Sequence, residues 1–266
     1  MKFWRNLSRK RRAAPVEDAP RLTSADRAEQ AEQEKLYSLG EVTTLDAFGL
    51  MTALMLHRHR PIAHYLAGVG KRRSMLHADV LFLLYYLARH APGDVLEIGP
   101  YVGGSTIAAG HGVRDSGRPR TFLTVERGGH FAHPKIPSSD IVRDLKDNLA
   151  THGVSDLVQV IVGGALDEGT KAAIHEQLAP DSVGLLMMDA DGAVEAALAA
   201  HRNLLRDSCL VVIDDYYALG IALDKASRTK AEIDALVGRG ELEQLGLFGW
   251  GTWFGRWHGA SARTED

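Results

Sequence analysis

Apolar residues recur at helical spacing over residues 44–66 and again over 75–90, where Leu76, Val80, Leu83, Leu84 and Leu87 fall on one face. Pro92 and Gly93 then stop the second helix. Beyond them the period changes. Short apolar runs at 94–98, 121–126, 158–162, 183–189 and 209–214 alternate with helical stretches, a pattern that predicts parallel strands joined by βαβ crossovers. Two last runs, 242–247 and 252–257, flank the link Phe248-Gly249-Trp250-Gly251 and predict a closing antiparallel hairpin. The expected fold class is α/β, a doubly wound, seven-stranded, mostly parallel sheet with N-terminal helices ahead of it. Trp250, Trp253, Phe254 and Trp257 cluster at the hairpin, where core or interface packing competes with stacking on a ligand.

Residues 13–34 carry few large apolar groups, so residues 1–35 read as a basic then polar tail and 36–260 as the ordered domain. Charge sharpens that division. Six of the 31 Lys and Arg residues lie in the first twelve positions, which leaves 25 against 34 acidic residues and a body near −9. Such a body disfavours nucleic acid, whose binding depends on phosphate neutralisation, and favours a small-molecule partner. The lone Cys209 excludes an internal disulfide framework and fits a reducing, cytoplasmic setting. No run reaches the roughly 18 to 20 apolar residues of a membrane span. Residues 1–12 could touch an anionic membrane surface, though a solvated tail is the commoner fate of such a terminus. A homo-oligomer is compatible with the composition.

The chemistry concentrates where strands end, because open α/β sheets hold ligands at the carboxyl ends of their strands. Residues 94–106 read as a buried strand, a glycine turn and a helix, with Gly99, Gly103 and Gly104 permitting tight turns and close ligand approach. Ser105 or Thr106 is the expected helix cap. The glycines fall as G-x-x-x-G rather than the dinucleotide G-x-G-x-x-G, which disfavours a pyrophosphate ligand. Glu97, two positions before the first glycine, suits a cationic, amino-acid-bearing ligand instead. Glu126 ends the second strand, where a carboxylate can accept from both ribose hydroxyls of a nucleoside or simply face water. The third strand ends in Gly163-Gly164-Ala165. Asp189 ends the fourth, with Asp191 just beyond it, and Asp214-Asp215 end the fifth. Neighbouring strands lie about 4.8 Å apart, so Asp189, Asp214 and Asp215 can converge as hard oxygen ligands for Mg²⁺, Ca²⁺ or Mn²⁺, or they can serve as ordinary turn residues.

The stretch from Glu97 to Ser105 resembles motif I of the class I S-adenosylmethionine (SAM) dependent methyltransferases, and its E-x-G-x-Y-x-G-x-S pattern is that of the catechol O-methyltransferase-like and metal-dependent sugar O-methyltransferase group. The resemblance covers about residues 75–257 and implies a Rossmann-like methyltransferase domain. It assigns cofactor contacts to Glu97, Gly99, Tyr101, Gly103, Ser105, Glu126, Gly164 and Asp189, with Gly164 beside the adenine through its backbone. It assigns a divalent cation, Mg²⁺ by preference, to Asp189, Asp214 and Asp215. Relatives often carry Lys or His three residues after the first metal ligand, whereas this chain has Gly192. Asp189, Asp191 and His130 are then the candidate catalytic residues, with His133 of the 128–140 insert a further possibility. The implied activity is O-methylation of a small-molecule catechol or sugar diol. A silent SAM-binding scaffold and, against the glycine spacing, a nicotinamide-dependent oxidoreductase are the alternatives.

Overall fold

The computed structural model describes residues 46–189, 191–217 and 224–259, with a few isolated positions between 20 and 28. Residues 1–12, the remaining tail and the expected domain start near 36 fall outside that set. The expected helix over 44–66 is two helices, α1 (Ala47–His57) and α2 (Pro61–Arg73), because Pro61 has no N–H to continue the first and sits at the start of the second. Asp46 caps α1 by accepting from the Gly49 N–H at 2.7 Å. Helix α3 (Ala78–His90) starts later than its apolar pattern, since the His77 ring accepts the Asp79 N–H and fixes the boundary.

The strands are β1 (Asp94–Ile98), β2 (Phe122–Glu126), β3 (Gln159–Val162), β4 (Val183–Met188), β5 (Leu205–Ile213), β6 (Leu242–Phe248) and β7 (Thr252–Trp257). They form one seven-stranded sheet in the order β3-β2-β1-β4-β5-β7-β6. The first five are parallel and β7 runs antiparallel to both β5 and β6. Helices α4 (Gly104–Ser116), α5 (Ile141–Thr151), α6 (Glu168–Gln177), α7 (Val194–His201) and α8 (Asp224–Gly238) complete the crossovers.

Side-chain alternation splits the core between the two faces of the sheet. Val95, Leu185 and Met187 pack with α1 to α4, whereas Leu96, Leu186 and Met188 pack on the opposite side with α6, α7 and α8. Each such side chain contributes on the order of 1.5–3 kcal/mol of transfer free energy, which fixes strand register and therefore where the strand ends lie. Strand β5 begins four residues before the apolar run suggested. Its first turn of sequence, Arg206-Asp207-Ser208, is polar and bulged, with Ser208 at φ 59° and an interrupted register against β4. In the hairpin Trp253, Phe254 and Trp257 are core residues, while Trp250 at the turn is exposed.

Candidate functional site

Strand β1 delivers Glu97 to the base of the glycine turn. The side chain is 2% exposed, and its Oε2 accepts the hydroxyls of Thr106 at 2.6 Å and Thr124 at 2.8 Å. Thr106 is thus not the expected cap: α4 begins after Gly103 with no side-chain cap, and neither Ser105 nor Thr106 serves one. Burial pushes the Glu97 carboxyl up, opposed by the Thr106 and Thr124 hydroxyls on Oε2. Its Oε1 is buried and has no hydrogen-bond partner. A pocket of about 60 Å³, lined by Glu97, Ser74, Ser105 and Asp189 among others, lies against it.

Gly99 and Gly103 permit the tight turn expected of them and also sit directly against protein atoms. Gly103 has φ 92°, and a Cβ there would stand 2.7 Å from Leu145 Cδ1 of α5. A Cβ on Gly99, at φ 78°, would stand 2.5 Å from the Asp189 carbonyl oxygen. Their empty side-chain positions let α5 and the end of β4 approach the turn. Tyr101, between them, is itself left-handed at φ 55°.

Glu126 is not a solvated strand end. It is 7% exposed, its Oε2 accepting the Tyr101 N–H at 3.0 Å and its Oε1 the Gly128 N–H at 2.8 Å. Burial pushes its carboxyl up, and those backbone donors oppose the shift. The Tyr101 hydroxyl donates to the Ile136 carbonyl and its ring meets Phe131 edge-on, so Tyr101 ties Glu126 to the 128–140 insert. Within that insert His133 Nδ1 accepts the Lys135 and Ile136 N–H groups, which makes it a turn cap. His130 is exposed on the cleft wall. At the end of β3 the Gly164 N–H donates to Asp167 Oδ2 at 2.9 Å, and Gly164 lines the cleft. Asp167, which no strand end points to, lines the cleft beside it.

Asp189, Asp214 and Asp215 converge as expected, with carboxylate oxygens all within 4.8 Å of one another. Asp214 accepts the Thr252 hydroxyl at 2.8 Å. Lys225, in the first turn of α8, stands among them. Its Nζ contacts Asp215 Oδ2, lies 3.5 Å from Asp189 Oδ1 and 3.8 Å from Asp191 Oδ1. Burial alone would lower the Lys225 pKa, but Asp189 and Asp215 outweigh it and raise it. The Asp189 carboxyl is nevertheless pushed up to about 7 by burial, with Lys225 opposing and Asp214, Asp215 and Asp191 adding to the rise. Burial and the neighbouring Asp215 also push Asp214 up. Asp191 is 66% exposed at φ 51°, with Arg127 3.7 Å from its Oδ2. Gly192 follows at φ 82°, and a Cβ there would lie 3.2 Å from the Lys225 carbonyl oxygen, so the β4 loop rests on the start of α8.

A cleft of about 1240 Å³ joins these groups along the carboxyl ends of the parallel strands. Its walls include Glu126, Asp167, Asp189, Asp191, Asp214, Asp215 and Lys225, together with the exposed Phe131, Tyr217 and Trp250. Trp250 packs edge-on to His77 at 5.1 Å.

Comparison with known proteins places this arrangement. Residues 96–216 match the family described as a methyltransferase domain. No curated protein matches the chain in sequence. Among solved structures, cofactor-bound Rv0187 from MTB is 20% identical over 90% of this chain and 98% of its own, with a TM-score of 0.53. The SAM complex of the O-methyltransferase TomG from Streptomyces achromogenes, involved in tomaymycin synthesis, is 18% identical over 90% and 100%, with a TM-score of 0.52. SAH-bound methyltransferase PaMTH1 from Podospora anserina is 18% identical over 91% and 99%, also at 0.52. At these identities the structural likeness speaks for the fold, and the family match speaks for the domain. Residues 96–216 are thus similar to a methyltransferase domain, and the strand order is that of the fold these solved methyltransferases share.

Proposed function

We propose that the protein transfers the methyl group of SAM to a hydroxyl oxygen of a small molecule, of catechol or sugar diol type, with a divalent cation at Asp189, Asp214 and Asp215. The observation that carries this reading is the unpaired, buried Oε1 of Glu97 against a small pocket that Asp189 and Asp214 of the acidic cluster also line. A buried carboxylate oxygen without a donor fits an ammonium, and the methionine part of SAM carries one. Glu126, already oriented by two backbone N–H groups, keeps lone pairs for the ribose hydroxyls, and Asp167 can accept the adenine amino group.

The sulfonium of SAM is an activated methyl donor, so the chain's own contribution is alignment and exclusion of water. Asp191, exposed in the cleft, receives the acceptor proton, and Asp189 positions the acceptor beside it. His130 remains a rim residue. The donor set fits a divalent ion: one hard carboxylate oxygen from each of three aspartates, all within reach of one point. Such an ion supplies acidification of an acceptor hydroxyl when bound. No described helix is long and apolar enough to cross a membrane, and the buried, unpaired Cys209 supports a cytoplasmic setting.

Methyl transfer from labelled SAM to a panel of vicinal diols and catechols, with and without chelator, tests the proposal. Transfer to at least one acceptor, lost in chelator and regained with Mg²⁺ or Mn²⁺, is the expected result. Absence of SAM binding by calorimetry would overturn the cofactor assignment, and full activity in chelator would overturn the metal assignment alone.

A further inference from the structure

We infer that Lys225 is the resident cation of the acidic cluster, and that a divalent ion reaches all three carboxylates only by displacing its ammonium. The inference rests on the metal-assisted reading above. Lys225 Nζ is in contact with Asp215 Oδ2 and 3.5 Å from Asp189 Oδ1, so it engages two of the three carboxylates a metal would need. Asp214 is left with the Thr252 hydroxyl. The arrangement is built in: Lys225 leaves the first turn of α8, and that turn is pressed against the β4 loop at Gly192, where even a Cβ would crowd the Lys225 carbonyl and the Arg228 side chain.

A single positive charge cannot balance three carboxylates with Asp191 close by, so the site still favours a more highly charged ion. An ammonium and a divalent cation repel strongly at ligand distances, however, and cannot share the same oxygens. Metal entry therefore moves Lys225 off Asp189 and Asp215. Asp191, 3.8 Å from Nζ and largely exposed, is the carboxylate left to receive it. The lysine thus sets the apparent metal affinity and couples metal arrival to the charge beside Asp191.

The test is Mn²⁺ titration of the full chain at about pH 8, followed by the spin-resonance signal of free Mn²⁺. Lys225→Met removes the competitor and keeps most of the stem, and it is expected to tighten Mn²⁺ binding by about tenfold or more. Lys225→Arg keeps the charge and is expected to bind no tighter than wild type. Asp214→Asn added to Lys225→Met should abolish the gain. Calorimetry with SAM reports that each variant is folded, and Lys225→Gln stands in should Lys225→Met fail to fold. Equal or weaker Mn²⁺ binding in the uncharged variants, with wild type binding Mn²⁺, overturns the inference and leaves the metal assignment standing. Binding by neither protein overturns both.

Discussion

Glu97→Gln separates what the protein needs to fold from what it needs to bind. The substitution keeps volume and shape, and the amide oxygen can continue to accept from Thr106 and Thr124, now 2.6 and 2.8 Å from Oε2. Only the charge and the unpaired Oε1 are replaced, the latter by an NH₂ facing the small pocket. Without cofactor the wild-type carboxylate is a cost: a buried, unsatisfied polar atom costs roughly 1–3 kcal/mol and more when it belongs to a charged group, so the neutral amide costs less although its NH₂ is equally unpartnered. Because burial raises the folded pKa above the unfolded one, Glu97 favours folding at pH below its unfolded value and loses that contribution as pH rises through the folded value. The variant should therefore melt at or above wild type at neutral pH, by about 2–4 °C for each kcal/mol recovered. With SAM the sign reverses, since loss of a charge-assisted hydrogen bond to the methionine ammonium costs about 1.5–3 kcal/mol, or roughly tenfold to a hundredfold in Kd. Thermal melting without ligand and calorimetry with SAM read the two effects separately. A variant that melts several degrees lower, or binds SAM as wild type does, would refute the reasoning.

Gly103→Ala should lower the urea midpoint, through a left-handed φ and a clash with Leu145 worth about 1–3 kcal/mol, yet leave SAM affinity of the folded protein intact. Weaker SAM binding at an unchanged midpoint would return Gly103 to the ligand. Trp253→Ala opens the core and should cost about 3–5 kcal/mol, whereas Trp250→Ala should change stability little and raise the acceptor KM. Equal stability losses would place Trp250 in the core. His111 and His152 are buried against Tyr65, and burial lowers their pKa to about 3 and about 4. Their contribution is complete above the unfolded value near 6.5 and is lost as pH falls toward 4 and then 3, so melting temperatures should decline between about pH 6.5 and 4, and less steeply in His152→Gln. A flat profile over that window would contradict it.

Much of the fold was legible because two-sided burial writes itself as apolar runs. β1, β2 and β4 are covered on both faces and were bounded to within a residue or so. The misses have local causes. Pro61 split a helical pattern whose period continues across the break, and the bulge at Ser208 hid the polar first half of β5. Polar residues at a bulge carry no alternation, so hydrophobicity alone could not extend the strand.

The site was legible in the same measure as it depends on strand ends. Glu97, Glu126, Asp189, Asp214 and Asp215 follow once strands are placed, because each closes or nearly closes a strand of known order. Lys225 and Asp167 do not, since each reaches the cleft from the start of a helix, where no periodicity separates a cleft-facing side chain from a solvated one. The one available signal was the anomaly at Gly192. Its absent side chain looked like a missing base, but the left-handed turn there brings the β4 loop onto α8 and lets a lysine enter the cluster from another element. A positive charge that a pattern seeks at one position can be delivered from over thirty residues away. What the chemistry constrains is the position of the ammonium among the carboxylates, and that depends on packing between loops, which sequence spacing does not encode.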